Sequence, residues 1–310
     1  MEIHHSFINF DPSKKSILTI GTFDGVHFGH QKIIKKLVHD ANEQNDRSVV
    51  LTFFPHPQLV LNAHSSIKML NTIDEKTSLL QNLNVDAVVI QPFDKEFSEL
   101  SPENFVKQIL VEKLNIKKII IGHDHRFGKN RAANFDDLIA FGKKYHFEVE
   151  QISVESQNEI AISSTKIRNA ILNNDFSIAA DYLGYAYFFS GQVVCGNQLG
   201  RTINFPTANI AVTENYKLIP NTGVYVVQCE TDSEVVFGMM NIGNRPTVNG
   251  QNQTIEVHLF DFDKDIYNQF IKVSVLYFLR NEQKFDSIND LKQQLSSDKV
   301  NALSFIKNFR

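Results

Sequence analysis

The sequence has no excess of charge of one sign. Its 31 Lys and Arg residues nearly balance its 35 Asp and Glu residues, and the formal net charge is −4. A protein that binds nucleic acid usually carries a basic footprint, so we expect small-molecule partners and no nucleic acid. Long apolar runs are also missing, and residues 1–5 lack the basic-then-apolar pattern of a signal peptide. We therefore expect no membrane association and a cytoplasmic location.

Cysteine is scarce as well. The chain has two cysteines, Cys195 and Cys229, which lie far apart in strand-like segments and form no C-x-x-C pair. In a reducing compartment this arrangement predicts two buried thiols in preference to a disulfide.

The length of 310 residues and the hydrophobic content of 42% indicate a globular protein with two domains. In the first half, apolar strands alternate with amphipathic helices, which is typical of a parallel sheet with crossover helices. The pattern changes after Gly184, and from Tyr187 to near Asp286 short β-rich runs are separated by Gly, Asn and Pro. Such runs indicate a closed or nearly closed antiparallel barrel. We predict an α/β domain at residues 1–184 and a β-barrel domain at residues 185–310.

The end of the chain, from about residue 287 to residue 309, is predicted to be helical again. Its apolar residues form two short amphipathic faces that we expect to cover the barrel. These faces comprise Ile288, Leu291 and Leu295, and then Val300, Leu303 and Ile306.

The most informative stretch is residues 17–31, where an apolar run stops at Gly21 and leads into His27-Phe28-Gly29-His30. Apolar residues recur at helical spacing after His30, which places both histidines at or just before a helix N-terminus. The first N–H groups of a helix point outward and bind anions, and imidazoles beside them can donate hydrogen bonds to phosphoryl oxygens. A solvated loop, or a metal site to which Asp24 contributes an oxygen, are the alternatives. The lack of a third imidazole or soft ligand nearby makes the metal less attractive.

Two other loops follow predicted strands, and the carboxyl ends of parallel strands share one edge of the sheet. One loop holds His56 between Pro55 and Pro57, and both turn rigidity and a binding role are open for this histidine. The other loop, residues 122–131, concentrates charges, imidazoles, glycines and one aromatic ring. We expect this second loop to contribute to a site.

A further helix is predicted to begin near Ser163, Ser164 or Thr165, any of which can cap it. Arg168 follows one turn later and projects near the same N-terminus. This arrangement favours a phosphate site, and the alternative is an ordinary cap with a solvated basic residue.

The second half carries three polar motifs. Residues 196–201 form a hydrogen-bond-rich loop suited to wrapping phosphates, and it includes Gly196, Gly200 and Arg201. In the extended segment that follows, Thr207 and Asn209 are two residues apart and point to the same side, where their oxygens can coordinate one Mg²⁺. An ordinary turn is the alternative for this segment.

The third motif is residues 254–260, where strand alternation places Glu256 and His258 on one face. The opposite face is apolar and carries Ile255, Val257 and Leu259. From the pattern alone, Glu256 is either a functional carboxylate or a solvated outward residue.

These motifs resemble known families over nearly the whole chain, in order. G-T-F-D-G-V-H-F-G-H-Q at residues 21–31 resembles the H-x-G-H signature of the nucleotidyltransferase superfamily and, in its longer form, that of bacterial FAD synthetases. Residues 122–131 and I-S-S-T-K-I-R at residues 162–168 resemble further elements of the same superfamily. G-R-T-I-N-F-P-T-A-N at residues 200–209 resembles the riboflavin kinase signature, as do residues 241–247, 256–258 and 261–267.

The resemblance implies a Rossmann-like nucleotidyltransferase domain followed by a riboflavin kinase barrel. The barrel would use ATP and Mg²⁺ to phosphorylate riboflavin to FMN, and the first domain would adenylylate FMN with ATP to give FAD and pyrophosphate. The implied catalytic residues are His27, His30 and Glu256, the last as the base that accepts the hydroxyl proton. Thr207 and Asn209 are the implied metal ligands. The residues implied to bind nucleotide or flavin are Gly21, Phe23, Asp24, His56, Asp124, Arg126, Arg131, Ser163, Ser164, Thr165, Arg168, Gly196, Gly200 and Arg201.

Two other functions compete with this one. A cytidylyl- or adenylyltransferase for a small alcohol phosphate would need only the first half, and the barrel motifs argue against it. A flavin-binding sensor without catalysis would not need the full set of polar residues that the sequence keeps. The sequence contains no G-x-x-x-x-G-K-[ST] loop, which is consistent with a kinase of a different kind.

Overall fold

The computed structural model describes residues 1–62, 65–122, 126–152, 162–196, 199–247 and 250–309. For a few residues within these ranges, among them Arg131 and Arg201, only the backbone is described. The chain forms two compact units, Met1–Ser163 and Ser164–Arg310. Among the described residues, no helix combines the length and apolar character that crossing a membrane requires.

The first unit is built on a six-stranded parallel sheet with the strand order β1-β4-β3-β2-β5-β6. The strands are β1 (Glu2–His4), β2 (Ser16–Ile20), β3 (Arg47–Phe54), β4 (Ala87–Pro92), β5 (Ile116–Gly122) and β6 (Glu148–Ile152). This sheet confirms the predicted parallel α/β architecture of the first half.

Helices connect these strands, as a parallel sheet requires. They are α1 (Phe28–Gln44), α2 (Pro57–Leu61), α3 (Ile73–Asn82), α4 (Lys95–Ser98), α5 (Pro102–Asn104) and α6 (Phe135–Tyr145). Short 3₁₀ segments at Phe7–Asn9 and Lys129–Arg131 and a π-helical segment at Phe105–Val111 complete the unit.

Local sequence signals explain several helix starts. Thr72 and Glu75 form a capping box at α3, in which each side chain bonds the backbone N–H of the other residue. Ser101 caps α5 and Pro102 occupies its first turn. These caps fix where the helices begin.

The core of the first unit lies on both faces of the sheet, because each strand sends alternate side chains to opposite sides. One cluster contains Leu18 and Val49, and the other contains their neighbours Ile17 and Val50. All four side chains are fully buried. Burial on both faces leaves the carboxyl edge of the sheet as the accessible place for a ligand.

The second unit begins with α7 (Ser164–Leu172) and α8 (Phe176–Leu183). A closed antiparallel barrel follows, with the strand order β10-β11-β8-β7-β12-β9. Its strands are β7 (Phe188–Val194), β8 (Ala208–Ala211), β9 (Gly223–Glu230), β10 (Val235–Thr247), β11 (Gly250–Leu259) and β12 (Phe270–Arg280). The short helix α9 (Leu199–Thr202) precedes β8, and α10 (Ile288–Phe309) ends the chain. The barrel confirms the architecture predicted for the second half.

The helices α7 and α8 pack within the second unit. The Phe176 ring lies edge-on to the Tyr225 ring at 5.6 Å between centroids, and the Tyr225 hydroxyl donates to Asn174 Oδ1 at 3.3 Å. Phe176 and Leu183 are buried. The predicted boundary after residue 184 concerns independent folding and stays a prediction.

The C-terminal segment differs from the prediction of two short amphipathic faces, because it is one continuous helix of 22 residues. Ile288, Val300 and Leu303 are exposed, whereas Ile306 is buried in the core and Leu295 packs against it, as expected; Ala302, which was not predicted, is buried with them. Asp298 takes a buried position because the Arg280 guanidinium pairs with its carboxylate, at 2.7 Å from Nη2 to Oδ2. The spacing of apolar residues cannot predict that Asp298 is buried, because its burial depends on an ion pair with a residue from another element.

The cysteine prediction is half right. Both cysteines are free thiols, and Cys229 is buried in β9, where burial raises its pKa to about 12. Cys195 is exposed because β7 ends one residue before it.

Candidate functional sites

The first candidate site starts in the loop after β2. The backbone N–H of Gly21 donates to the Leu51 carbonyl at 3.1 Å, which continues the sheet contact into the loop. Three residues then take positive φ values: Phe23 at 45°, Gly25 at 88° and Val26 at 36°. Val26 is β-branched, and such a conformation persists only when surrounding contacts hold it. The tight loop directs the chain into α1.

The two predicted histidines lie at the start of α1, as expected. His27 is the N-cap, and its Nδ1 accepts from the His30 backbone N–H at 3.4 Å. The two rings stack with their centroids 3.5 Å apart, and the Phe23 ring meets His30 edge-on at 5.1 Å. His30 Nδ1 is buried and has no hydrogen-bond partner among the described residues.

His30 of the stacked pair differs from an ordinary histidine in its pKa. Burial lowers the pKa of the His30 imidazole well below its usual range, and the charges of His27 and Lys76 lower it further. His30 is therefore neutral near pH 7. A neutral imidazole carries one N–H, which makes it a hydrogen-bond donor without a proton to lose at that pH.

Two buried polar side chains, Asp24 and Lys76, connect the loop to neighbouring segments by hydrogen bonds. The buried Asp24 accepts the backbone N–H of Leu70 at its Oδ1, at 2.9 Å, and that of Asn71 at 3.4 Å. Lys76, on α3, donates from Nζ to the Thr22 carbonyl at 2.7 Å and is also buried. Burial lowers the pKa of Lys76 to about 8, against an opposing effect of the Asp24 charge.

Lys76 belongs to no recognised motif, although the sequence carries a signal of its burial. Ile73, Lys76, Thr77 and Leu80 follow the spacing of one helical face, and the last three are buried. A lysine on the apolar face of a short helix is unusual, because burying an unpaired ammonium costs free energy. A lysine at this position indicates a hydrogen-bond acceptor on the element against which the helix packs.

The other strand-end residues are only partly described. His56 is the N-cap of α2, and its Nδ1 accepts the Gln58 backbone N–H at 3.2 Å. Arg126 is exposed, Asp124 lies outside the described residues, and the side chain of Arg131 is not described. The binding roles of these four residues stay predictions.

Ser164 begins α7, Ser163 precedes it, and Thr165 and Arg168 lie in the first two turns. Thr165 is exposed, and Arg168 and the two serines are half-buried. The helix start agrees with the predicted phosphate motif. Ser163 ends the first unit and the other three residues belong to the second, so their proximity to His27 and His30 stays a prediction.

The second candidate site is created by strand register in the barrel. Asn209 on β8 lies directly opposite Glu256 on β11, so both side chains project from the same face. Thr207, two residues earlier, donates from Oγ1 to Glu256 Oε2 at 3.3 Å. On the other side of Glu256, Asn241 of β10 is its direct partner. The predicted trio of Thr207, Asn209 and Glu256 is therefore assembled in one place.

Two glycines allow close backbone contacts near this trio, one with Asn209 and one with Phe205. A Cβ atom on Gly196 would lie 2.1 Å from Asn209 Nδ2, and one on Gly200 would lie 2.1 Å from the Phe205 carbonyl oxygen. The Phe205 N–H in turn donates to the Gly200 carbonyl at 2.8 Å. Both positions therefore require glycine for close packing, while the side chain of Arg201 is not described.

His258 contributes a contact that the sequence analysis did not predict. It is buried, and its Nδ1 lies 2.8 Å from the Pro206 carbonyl, which ties β11 to the residue before Thr207. Burial lowers the pKa of His258, and the bond to Pro206 opposes that shift. The contact fixes the segment that presents Thr207.

A pocket of about 530 Å³ adjoins Thr207. It is lined by strand residues on one side and by the loop after β11 on the other. Its lining includes Val193, Pro206, Thr207, Val257, Phe262 and Tyr267. The pocket is lined by both apolar and polar residues and has the size of a small-molecule site.

The donor set of the trio fits a hard cation. Thr207 offers a hydroxyl oxygen, Asn209 an amide oxygen and Glu256 a carboxylate, and oxygen ligands of this kind suit Mg²⁺. One face thus combines neutral oxygen donors with a carboxylate that can accept a proton.

Comparisons with known proteins agree with both halves. A family model described as FAD synthetase matches residues 10–166, and one described as riboflavin kinase matches residues 183–306. Together the matches define a class of enzyme that joins a nucleotidyltransferase domain to a kinase barrel. The chain belongs to the family of bifunctional riboflavin kinase/FMN adenylyltransferases.

Several bacterial relatives bear that name. The protein of Haemophilus influenzae is 41% identical over 289 residues, covering 93% of each chain. Those of Escherichia coli K12 and Bacillus subtilis are each 36% identical and cover 95% and 96% of this chain and 94% of their own. A crystal structure described as a macrolide-efflux protein from Streptococcus pneumoniae is 30% identical, covers 96% of both chains and has a TM-score of 0.86. The likeness thus extends over both units.

Proposed function

We propose that the parallel-sheet unit adenylylates FMN and that the barrel unit phosphorylates riboflavin, each at the candidate site described above. The two reactions are those of the family: riboflavin and ATP give FMN, and FMN and a second ATP give FAD and pyrophosphate. The observation that carries the kinase assignment is the convergence of Thr207, Asn209 and Glu256 on one barrel face.

In the kinase reaction, Glu256 accepts the proton of the ribityl 5′-hydroxyl as that oxygen attacks the γ-phosphorus of ATP. ADP leaves, and FMN is the product. Thr207 and Asn209 would hold Mg²⁺ through their oxygens. When bound, Mg²⁺ would neutralise phosphate charge during the transfer. The bond from Thr207 to Glu256 orients the carboxylate before substrate arrives.

In the adenylylation reaction, an oxygen of the FMN phosphate attacks the α-phosphorus of ATP and pyrophosphate leaves. Both reactants already carry the reacting groups, so no covalent enzyme intermediate is needed. His27 and His30 donate hydrogen bonds to phosphoryl oxygens, where negative charge increases in the transition state. Support comes from their position at the N-terminus of α1 and from the buried, unpartnered Nδ1 of His30.

The remaining assignments are part of the same proposal. Arg168 and residues 163–165 bind phosphate, and Gly21, Phe23, Asp24, His56, Asp124, Arg126 and Arg131 form the rest of the adenylylation site. Gly196, Gly200 and Arg201 bind the kinase nucleotide. We place the division between the two activities after residue 184. We also place the protein in the cytoplasm, where its free thiols fit a reducing compartment. We expect no nucleic acid or membrane partners.

The direct test incubates purified protein with riboflavin, ATP and Mg²⁺ and separates the flavins by chromatography. We expect FMN first and FAD later, and no product when EDTA removes the metal. Binding of riboflavin without turnover would contradict both assignments and favour a flavin sensor. Transfer to a small alcohol phosphate but not to FMN would contradict the adenylylation assignment alone.

A further inference from the structure

The loop that carries His27 and His30 depends on contacts from outside its own segment. The positive φ values of Phe23 and Val26 store backbone strain, which surrounding groups must hold. Within the loop, the Val26 N–H bonds the Phe23 carbonyl at 3.1 Å, and Gln31 Nε2 bonds the Val26 carbonyl at 3.0 Å. These local bonds close the turn but do not attach it to the rest of the unit.

The Thr22 carbonyl attaches the loop to two other elements, in addition to the bonds that Asp24 accepts from Leu70 and Asn71. It accepts Nζ of Lys76 from α3 at 2.7 Å and Oγ1 of Thr52 from β3 at 3.2 Å. Both donor side chains are buried, and Thr22 itself is half-buried, so water has limited access to either bond. The shorter bond is also the charged one, and a charge-assisted hydrogen bond is roughly twice as strong as a neutral one.

Lys76 is not a surface lysine that happens to reach the loop. Its helix begins with the capping box of Thr72 and Glu75, so the Glu75 carboxylate bonds the Thr72 backbone N–H. The groups whose charges interact with that of Lys76 are Asp24 in the loop and His30 on α1. An ammonium buried at this depth is costly, and it is retained where its interactions offset the cost.

We propose that Lys76 is a positioning residue for FMN adenylylation, whose buried ammonium holds the Thr22 carbonyl and thereby the stacked His27 and His30. The inference rests on the proposed role of those histidines. Lys76 touches no substrate in this account and acts through the loop. The positive charge also favours the neutral form of His30, which donates through one ring N–H.

The test measures kcat/KM for FAD formation from FMN in Lys76→Met, with Thr52→Val as the matched control. Both variants remove one donor from the same carbonyl and keep the side-chain volume, but only the first removes a charge. We expect a loss of about 10- to 100-fold for Lys76→Met and about two- to tenfold for Thr52→Val. FMN formation from riboflavin should be unchanged in both, which shows that the barrel unit is unaffected, and a urea unfolding curve of each variant that matches the wild type shows that the parallel-sheet unit is folded.

The pH profile separates positioning by a charge from simple stabilisation. In the wild type, kcat/KM for FAD formation should fall above pH about 8, since Lys76 then loses its proton. His30 is already neutral in that range, so it does not produce this limb. The limb should be absent in Lys76→Met. In Lys76→Arg, which stays charged, it should move to higher pH.

Three results would overturn the inference. One is equal losses in Lys76→Met and Thr52→Val with an unchanged pH profile, and another is full activity in Lys76→Met. If Lys76→Met does not fold, Lys76→Arg decides, and an unmoved alkaline limb contradicts the inference. If the wild type itself forms no FAD, the proposed adenylylation has failed instead.

Discussion

The two candidate sites are built in different ways. In the barrel, Thr207, Asn209 and Glu256 meet because antiparallel register places β8 beside β11, and a single pairing defines the site. In the parallel-sheet unit, His27 and His30 depend on a strained loop that residues from other elements hold, among them Lys76. The barrel site therefore follows from the pairing of regular strands, whereas the loop site depends on side-chain contacts that strand pairing does not define. If this comparison is correct, each site can be disabled without harm to the other.

The largest expected effect is at Glu256. The change Glu256→Gln keeps the shape and the hydrogen bonding of the side chain but removes its ability to accept a proton. FMN formation should fall by about 10²–10⁴-fold, and FAD formation from added FMN should be normal. The two half-reactions are measured separately by flavin chromatography.

The control for this variant is Glu230→Gln, which alters an exposed glutamate of the same barrel paired with Lys272 at 2.8 Å. It should leave both reactions unchanged. Unimpaired FMN formation in Glu256→Gln would make Glu256 a solvated strand residue, and equal loss of both reactions would indicate misfolding.

The next effect is at His30. The change His30→Ala removes one donor to the transition state, so FAD formation from FMN should fall by about 10²–10³-fold. FMN formation from riboflavin should stay close to that of the wild type. Steady-state rates of each half-reaction check this result.

The matched variant is His39→Ala, which removes an exposed histidine from the same helix. It should affect neither reaction. A His30→Ala protein that makes FAD at the wild-type rate would show that the H-x-G-H residues do not act as proposed.

The smallest effect concerns the start of the barrel domain. A fragment of residues 185–310 should retain kinase activity, as the predicted boundary requires. A fragment of residues 164–310 should be more stable to urea by roughly 3 kcal/mol, since it keeps the buried Phe176 and Leu183. Unfolding curves of both fragments measure the difference. Equal stability would show that α7 and α8 add nothing to the barrel, and an inactive 185–310 fragment would contradict the predicted boundary.

Sequence reasoning predicted most of the fold, because periodicity is a local property. The alternation of apolar strands with amphipathic helices correctly predicted the parallel sheet, and the short β-rich runs correctly predicted the barrel. The same reasoning placed Glu256 and His258 on one strand face, as the register shows. It failed in α10, where the pairing of Asp298 with Arg280 buries a charge and the apolar Ile288 and Val300 are left exposed.

The part of the sites that could not be predicted is the part that depends on side-chain contacts outside the strand pairing and outside any motif. Lys76 is 54 residues from its acceptor Thr22, and Asp24 meets Leu70 across a comparable separation. No motif connects these positions, because their contacts arise only after the sheet has formed. The local sequence signal of these contacts is a lysine on the buried face of a helix.

The central claim is that two separate sites carry two separate reactions, joined by FMN. Its most direct test mixes equal amounts of the Glu256→Gln and His30→Ala proteins with riboflavin, ATP and Mg²⁺ and follows FAD. Each variant alone should form little FAD, because one lacks the base that makes FMN and the other lacks a donor needed to consume it. The mixture should form FAD at a rate within about twofold of that of the wild type at the same concentration of intact sites, since FMN can pass between molecules. A mixture as inactive as its components would contradict the claim.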